Sequence, residues 1–323
     1  MTASLLCGLW IDRVLGEPPA AWHPVVWMGH YLGFWGRLST RCQPAAAFLV
    51  GAAAWCAGAV CTGSLAWVVQ VMAFQEIAAV AAGPGFAKAV SSVVLLGVLS
   101  WLLKTMLSWR MLHCETLAVE TQLQQSLEAG RAKLSMLVSR DTSQLAESEV
   151  RESAIESLAE NLNDSVVAPI FWFLLFGLPG AAIYRFANTA DAMWGYRGFR
   201  HGVQWEWAGK WAAWADDVLS WLPARLTAVL LVLAAGKFPS FNSLRAEARK
   251  TPSPNSGWPM ATMAVALDIC LRKPGVYALN ASGCLPTAAD VGRAVVLASR
   301  VLAIIAGSAL LGFLLVAMLA FFK

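Results

Sequence analysis

Charged residues are scarce in this 323-residue chain: Asp, Glu, Lys and Arg make up 14% of it, whereas hydrophobic residues make up 58%. Soluble domains carry about a quarter charged residues, so an ordinary water-soluble globule is excluded. The net charge is only +4 and no basic run with interleaved aromatics occurs, which excludes nucleic acid as a partner. The composition predicts an all-α, polytopic integral membrane protein with the lipid bilayer as its surroundings.

Several familiar motifs are also missing. The sequence contains no G-x-x-x-x-G-K-[ST], no G-x-G-x-x-G after a strand and no H-E-x-x-H, so a standard P-loop does not hold any nucleotide. The seven cysteines form no C-x-x-C pair and are interpreted as packing residues. No signal peptide is expected, because Asp12 and Arg13 lie within the first fifteen residues.

Long apolar stretches divide the chain into candidate membrane spans. A helix needs about 20 apolar residues to cross the hydrocarbon core, and the clearest candidates are 45–74, 89–109 and 294–322. Prolines interrupt two further stretches, 165–187 and 218–236. For these two, both a full crossing and a broken or re-entrant helix are open interpretations.

The polar stretches between the spans predict an orientation. If five segments cross, 110–163 and 237–293 fall on one side, and both are rich in Lys and Arg. The positive-inside rule makes that side cytoplasmic, so a multi-pass protein of the cell inner membrane is expected. No internal repeat is visible, and residues 1–323 are predicted to form a single integral membrane domain.

One polar stretch, ESLAENLNDS, places Glu156, Glu160 and Asp164 four residues apart, directly before an apolar segment. On a helix these acids share one face with Glu149 and Glu152. The plain interpretation is a solvated helix face. However, like charges at this spacing repel each other, and charge at a membrane boundary is costly. A bound divalent cation removes both objections, and hard carboxylate oxygens suit Mg²⁺.

A second stretch, NTADAMWGYR, follows an apolar segment and places Asn188 and Asp191 one helical turn apart. Asn and Asp both favour helix caps, so a cap and a ligand role are equally open. Tyr196 and Arg197 follow with a hydroxyl and a bidentate donor, groups that hold phosphate or carboxylate.

Two further stretches carry charged candidates. In DRVLGEPPAAWHP, Gly16 and Pro18 end a helix and set Glu17 and His23 on a rigid turn, although a lone His before Pro is more often structural. In SRDTSQ, an Arg and an Asp stand side by side at 140 and 141. They are either an anion-binding pair or a surface ion pair beside a helix cap.

The carboxyl-terminal half contributes two more candidates. In ADDVLSWLPARLTA, Asp216 and Asp217 precede an apolar run, so one is interpreted as a cap and the other as functional. The stretch TPSPNSGWP cannot be regular structure because its prolines remove backbone donors. It is either a linker or a binding loop, and Ser253, Asn255 and Trp258 are unusual choices for a linker.

The motifs together resemble a known family. In order and over nearly the whole chain, the sequence shows IDRVLGEPPAAWHPVVWMG, SRDTSQL, ESLAENLNDSVVAPIFW, YRFANTADAMWGYR, ADDVLSWLPARLTA and TPSPNSGWPMA. This succession resembles the adenosylcobinamide-phosphate synthase family, an integral membrane enzyme family of cobalamin biosynthesis. Six motifs in register make the resemblance specific. One departure is Glu17, where the family usually has Asp before Pro.

The resemblance implies an activity. Such an enzyme joins the amino group of aminopropanol, free or as its O-phosphate, to a propionate carboxylate of the corrinoid adenosylcobyric acid, with hydrolysis of ATP. It also implies association with other late membrane enzymes of the cobalamin pathway. Activation of a carboxylate by ATP requires Mg²⁺ and groups that position phosphate.

The resemblance also suggests roles for the candidates. Mg²⁺ ligands are expected among Glu156, Glu160, Asp164 and Asp191. Contacts to ATP or its phosphates are expected among Asn161, Asn188, Tyr196, Asp217, Ser253, Asn255 and Trp258. Catalytic roles are expected for Arg140, Asp141 and Arg197 towards anionic groups, and for Asp12, Glu17 or His23 as acceptor of the ammonium proton.

Two other functions are weighed against this ligase. A non-catalytic membrane sensor or regulator related to the family would have lost its polar motifs, which are intact here. An isoprenyl diphosphate transferase would need D-x-x-x-D repeats on two helices, and the sequence shows one acidic stripe only.

Overall fold

The computed structural model describes residues 1–80, 85–200 and 202–321 and is almost entirely helical, as the composition predicts. The helices are α1 (Thr2–Leu15), α2 (Pro24–Ser39), α3 (Pro44–Val80), α4 (Gly85–Lys104), α5 (Trp109–Leu123), α6 (Leu127–Leu134), α7 (Glu147–Leu162), α8 (Ala168–Trp194), α9 (Glu206–Ala235), α10 (Phe241–Ala248), α11 (Gly257–Leu267) and α12 (Ala288–Phe321). A 3-10 turn (Ala20–Trp22) precedes α2, and a π-helical turn (Asn163–Val167) joins α7 to α8.

Within the part of the chain that the structure describes, four short strands form two antiparallel hairpins. They are β1 (Phe199–Arg200), β2 (Val203–Gln204), β3 (Leu271–Lys273) and β4 (Tyr277–Leu279). In the second hairpin Leu271 lies opposite Leu279, and Lys273 lies opposite Tyr277. Within this hairpin, β3 packs against α7.

Within the described residues, five helical stretches are long and apolar enough to cross a membrane, and they correspond to the five predicted segments. They are Pro44–Gln75, Val90–Leu123, Glu147–Trp194, Glu206–Ala235 and Ala288–Leu319. The last predicted segment extends to 322, which lies outside the described residues. The chain is therefore a multi-pass membrane protein. Large apolar side chains of α12, such as Leu311, Leu314 and Val316, face outward, as expected of a lipid-facing surface.

The chain divides into two compact units. The first unit comprises Met1–Ser108, Ala168–Leu219 and Ala309–Lys323, and the second comprises Trp109–Val167 and Ser220–Ser308. In the first unit α3 packs against α8, α1 against α4, and α2 against both α3 and α8. In the second unit α7 packs against α5, α6, α11 and β3. The single integral membrane domain stays a prediction.

The interruption predicted in 165–187 is a break within α8. Gly177 adopts φ 71° and ψ −156°, a conformation that is open to glycine but strained for other residues. The backbone N–H of Leu178, freed by the break, donates to Oε1 of Gln70 on α3 at 2.7 Å. Apolar surroundings require such a partner. By contrast, α9 continues as one helix through Pro223.

We expect Gly177→Ala to destabilise the protein, because a β-carbon at a positive φ is strained and would also collide with the Gln70 side chain. The expected loss in the free energy of unfolding is about 1–2 kcal/mol or more. Thermal unfolding in detergent measures it. Gly97→Ala is the matched control, since Gly97 lies inside α4 with open space around it, and there alanine favours the helix. Equal unfolding temperatures for the two variants would contradict the structural role of the break.

Candidate functional site

Helix α7 carries the glutamates of the ESLAENLNDS stretch, and its first turn is capped by the Glu149 side chain. The backbone N–H of Ala146 donates to Oε2 of Glu149 at 2.7 Å, and acids in the first turn also suit the positive end of the helix dipole. The centre of the helix is buried on all sides. Glu152 and Glu156 are as inaccessible as Ile155 and Leu158 on the opposite arc. The plain interpretation of a solvated helix face is therefore wrong for the middle of the acidic stripe.

Glu152 is neutralised by an arginine distant in sequence. Its carboxylate accepts Nη2 of Arg272 at 2.7 Å, Nε at 3.0 Å, and the backbone N–H of the same residue at 2.7 Å. Hydrogen bonds to this carboxylate raise the pKa of Arg272. A buried carboxylate with three such donors needs no further ligand. Glu152 therefore anchors β3 against α7.

Glu156 has a less complete set of partners. Its Oε2 accepts Nη2 of Arg140 at 2.6 Å, with the carboxylate only 2% exposed. Among the described residues, however, its Oε1 and the Nη1 of Arg140 are buried without a hydrogen-bond partner. Glu160, one helical turn further on, interacts electrostatically with Glu156, Asp164, Lys273 and Arg140. One acceptor oxygen and one donor nitrogen of the same buried ion pair thus lack a hydrogen-bond partner, an unusual arrangement in a protein interior.

Tyr277 of β4 completes this neighbourhood. Burial, the charge of Glu156 and a hydrogen-bonding interaction with that carboxylate raise the pKa of its hydroxyl, so the hydroxyl stays protonated, and it also contacts Sδ of Met260 at 3.9 Å. We call the group formed by Arg140, Glu156, Glu160, Lys273 and Tyr277 the α7 cluster.

The predicted Mg²⁺ ligands are divided between the two units. Asp191 belongs to the first unit, whereas Glu156, Glu160 and Asp164 belong to the second. Within the described residues, no three His, Cys, Asp or Glu side chains are close enough together to hold a metal ion unaided. Any cation at the α7 cluster would therefore need oxygen ligands from its own substrate or from water, as is usual for Mg²⁺.

A second buried charge network lies in the first unit. Nζ of Lys104, which is 0% exposed, lies 2.8 Å from Oε2 of Glu17 and 3.6 Å from Oδ1 of Asp12. Nε2 of His23 lies 3.1 Å from the same Glu17 oxygen. The structure thus brings together all three predicted residues of the first motif. We call the four residues the Lys104 network.

The proton positions in this network follow from its hydrogen bonds. Nδ1 of His23 accepts the backbone N–H of Val25 at 3.2 Å, so in the neutral ring Nε2 carries the hydrogen and donates to Glu17. Burial would raise the pKa of Glu17, but hydrogen bonds from His23 and Lys104 outweigh it and lower the pKa. Glu17 is therefore a carboxylate, and both nitrogens of His23 are occupied.

Several predicted residues have local structural roles. Asp141 accepts the backbone N–H of Ser143 in an exposed turn, which lowers the pKa of the carboxyl group. Asn161 donates to the Ser157 carbonyl one turn earlier. Tyr196 donates to the Ala192 carbonyl, and its ring is covered by a guanidinium from β1. None of these contacts reaches the α7 cluster or the Lys104 network.

The remaining predicted residues fall into two places. In the first unit, Arg197 acts electrostatically on Asp217, and Asn188 lies half-buried on α8 with Asp191 one turn later. In the second unit, Ser253, Asn255 and Trp258 lie around Arg225 of α9. The proline-rich stretch is therefore an ordered loop and not a linker.

Three important residues escaped the sequence analysis. Lys104 stands alone in the apolar stretch 89–109, and an ionisable residue in such a place is itself a signal of function. Arg272 and Lys273 gave no signal, because their partners on α7 are more than a hundred residues away in sequence. Only the folded second unit brings them together.

Comparison with known proteins gives consistent matches. A family model described as CobD/Cbib protein matches residues 5–317. The chain is 41% identical over 291 residues to the probable cobalamin biosynthesis protein CobD of Thermococcus kodakarensis, covering 90% of this chain and 88% of the relative. It is 39% identical over 283 residues to the probable CobD of Methanothermobacter thermautotrophicus, covering 85% and 86%. The cobalamin biosynthesis protein CobD of Dehalococcoides mccartyi is 36% identical, covering 85% of each. No solved structure matches.

We expect Lys104→Met to lower the free energy of unfolding by about 3–5 kcal/mol, because it removes the cation from two buried carboxylates. Adding Asp12→Asn removes one of the opposing charges, so the double variant should lose less than the sum of the two single variants. Thermal unfolding in detergent of the four proteins completes the cycle. Strictly additive losses would show that the two side chains do not interact.

Proposed function

This chain belongs to the CobD/CbiB protein family and acts in cobalamin biosynthesis, and from this premise we propose that it is an ATP- and Mg²⁺-dependent ligase. It attaches aminopropanol, or aminopropanol O-phosphate, to a propionate side chain of adenosylcobyric acid. The family and the corrinoid pathway come from the comparisons, whereas the reaction itself is inferred from the resemblance and from chemistry.

The reaction requires activation of a poor electrophile. A carboxylate oxygen of the corrinoid attacks the γ-phosphorus of ATP, and ADP leaves. The neutral amine then attacks the acyl carbon of the resulting acyl phosphate, loses a proton, and expels inorganic phosphate as the amide forms. Phosphoryl transfer depends mainly on positioning and on neutralisation of charge. A suitable site therefore needs a positively charged side chain in a fixed position and, beside it, a carboxylate that can bind a metal ion.

The observation that carries the proposal is the open pair of atoms in the α7 cluster. Nη1 of Arg140 is a buried donor and Oε1 of Glu156 is a buried acceptor, and both lack a partner among the described residues. A phosphate oxygen would accept from the guanidinium, and a metal ion bound to that phosphate would take the carboxylate oxygen. One ligand of this kind would satisfy both atoms.

The neighbouring groups also fit a metal–phosphate ligand. When bound, Mg²⁺ would neutralise phosphate oxygens and help orient them for transfer. The open oxygen of Glu156 would be its carboxylate ligand, with the remaining positions left to phosphate and water, and Glu160 and Asp164 would add negative charge nearby. Lys273 would attract the phosphates, and the protonated hydroxyl of Tyr277 would donate to an anionic oxygen.

The Lys104 network suits the amine substrate. Both nitrogens of His23 are occupied, so we do not assign it the proton. Glu17 has one oxygen, Oε1, without a hydrogen-bond partner among the described residues, and its low pKa favours binding of an ammonium group over removal of its proton. We therefore assign Glu17 to amine binding and leave Asp12 as the candidate proton acceptor.

The setting of the reaction follows from the same proposal. We place the protein in the cell inner membrane, with 110–163 and 237–293 on the cytoplasmic side where ATP is available. Adenosylcobyric acid and the aminopropanol are its substrates. Other late membrane enzymes of the cobalamin pathway are its proposed neighbours.

A ligase assay tests this function. Purified protein in detergent, given adenosylcobyric acid, aminopropanol phosphate, ATP and Mg²⁺, should yield the amide and an equal amount of ADP, measured by mass spectrometry. Omission of Mg²⁺ should stop both. Glu156→Gln and Arg140→Gln should each reduce turnover by about 100-fold or more, as expected when a preorganised electrostatic contact is lost.

Matched substitutions control for charge. Glu128→Gln and Arg300→Gln change exposed side chains of the same second unit and should retain turnover. If wild-type protein makes no amide and leaves ATP intact, the ligase proposal fails and the membrane sensor is favoured. If amide forms but Glu156→Gln is fully active, the α7 cluster is not the phosphate site.

A further inference from the structure

The second unit contains a cavity of about 830 Å³ that neither the α7 cluster nor the Lys104 network uses. It lies between α9, α10 and the proline-rich loop that follows α10, and its size matches that of small-molecule sites. Half of the residues that line it are arginines or aromatic residues, and none of the described residues that line it is acidic. The arginines and aromatic residues of this lining are Trp221, Arg225, Phe241, Arg245, Arg249 and Trp258.

Arg225 brings a positive charge that its hydrogen-bond partners do not neutralise. Its guanidinium donates to the carbonyl of Trp221 at 2.6 Å, to Oδ1 of Asn255 at 3.0 Å and to the carbonyl of Pro254 at 3.3 Å. All three acceptors are uncharged. The bonds fix the position of the guanidinium while leaving its field directed at the cavity, where it attracts an anion.

Two further arginines stand one helical turn apart on α10 and its carboxyl-terminal cap. Among the described residues, neither Arg245 nor Arg249 has an ion pair or a side-chain hydrogen bond. The nearby acid on the same helix, Glu247, is engaged elsewhere, with Lys250 at 2.6 Å and the backbone N–H of Asn280 at 2.7 Å. Ten guanidinium N–H donors on these two residues are therefore available to a ligand.

The aromatic rings form an apolar shelf next to these charges. Phe241 stacks on Trp258 with ring centroids 5.9 Å apart. The Arg225 guanidinium lies 4.3 Å from the Trp221 ring centroid and 5.1 Å from that of Trp258. Phe241 and Trp221 are more than half exposed. Exposed aromatic rings beside arginines that have no ion pair within the described residues favour a ligand with one apolar part and one anionic part.

We propose that this cavity binds a phosphate group attached to an apolar body, with Arg245 and Arg249 as the phosphate donors and Phe241 and Trp258 as the apolar contact. The chemistry has two possible sources, a soluble organophosphate and the headgroup of an anionic phospholipid. This site is distinct from the α7 cluster. The inference does not depend on the ligase reaction and is tested by binding alone.

Calorimetry on the full chain in an uncharged detergent tests the soluble source. Phenyl phosphate is the probe, and benzyl alcohol is its neutral counterpart. We expect phenyl phosphate to bind and benzyl alcohol not to bind. The double variant Arg245→Gln/Arg249→Gln should weaken binding of phenyl phosphate at least tenfold, since two charge-assisted contacts are lost. The charge-matched control Arg41→Gln/Arg300→Gln, with exposed side chains outside the cavity, should bind as wild type does.

Native mass spectrometry of delipidated protein tests the lipid source. Phosphatidic acid should be retained by wild type and by the control variant but lost from Arg245→Gln/Arg249→Gln, whereas phosphatidylcholine should show no such difference. Arginine-dependent binding of either probe supports the site and identifies its source. Binding of neither probe, or equal losses in the two double variants, would overturn the proposal.

The aromatic shelf has a separate test. Phe241→Ser should weaken binding of phenyl phosphate several-fold but leave binding of inorganic phosphate unchanged, because inorganic phosphate has no apolar part. Phe241 is exposed, so the variant should fold normally, which its thermal unfolding checks. Equal weakening of both probes, or of neither, would contradict the assignment of the shelf.

Discussion

Pairing of buried charge is the constraint on which the rest of the structure depends. An uncompensated ion in an apolar interior costs several kcal/mol, so every buried carboxylate here must find a cation or a strong donor. Glu152 finds Arg272, Glu156 finds Arg140, and Lys104 lies between two acids. These pairs hold helices, hairpin and loops in place within each unit. Buried polar atoms that lack a hydrogen-bond partner are therefore informative, because they mark places where a ligand would complete the pairing.

Glu152 and Glu156 differ in how many of their carboxylate oxygens have hydrogen-bond partners, and this difference distinguishes a structural role from a functional one. One turn apart on the same helix, they are equally buried and each binds an arginine. Glu152 receives donors on both oxygens, including a backbone N–H, and this suits a permanent anchor. Among the described residues, Glu156 keeps one oxygen without a hydrogen-bond partner and its arginine keeps one such nitrogen, and a ligand that pairs with these atoms would remove the cost of leaving them unsatisfied.

The fold class was predictable from the sequence, and so was part of the site. Apolar length predicted the five spans, and Gly177 with its neighbouring proline predicted the break in α8. The turn at Glu17 and His23 was found because Gly and Pro restrict the backbone locally. The acidic face of α7 was misjudged, because neutralisation by Arg272 and Lys273 depends on a hairpin that no local pattern on the helix encodes. Periodicity places acids on one face, but it does not reveal what packs there.

In the proposed ligase, the open atoms of Arg140 and Glu156 would receive a metal-bound phosphate. An experimental density map of the protein with Mg²⁺ and a non-hydrolysable ATP analogue tests it most directly. The account predicts a phosphate oxygen within hydrogen-bonding distance of Nη1 of Arg140, and a metal ion coordinated by Oε1 of Glu156. A map in which the nucleotide is bound elsewhere, with the Arg140–Glu156 pair unchanged, would contradict it.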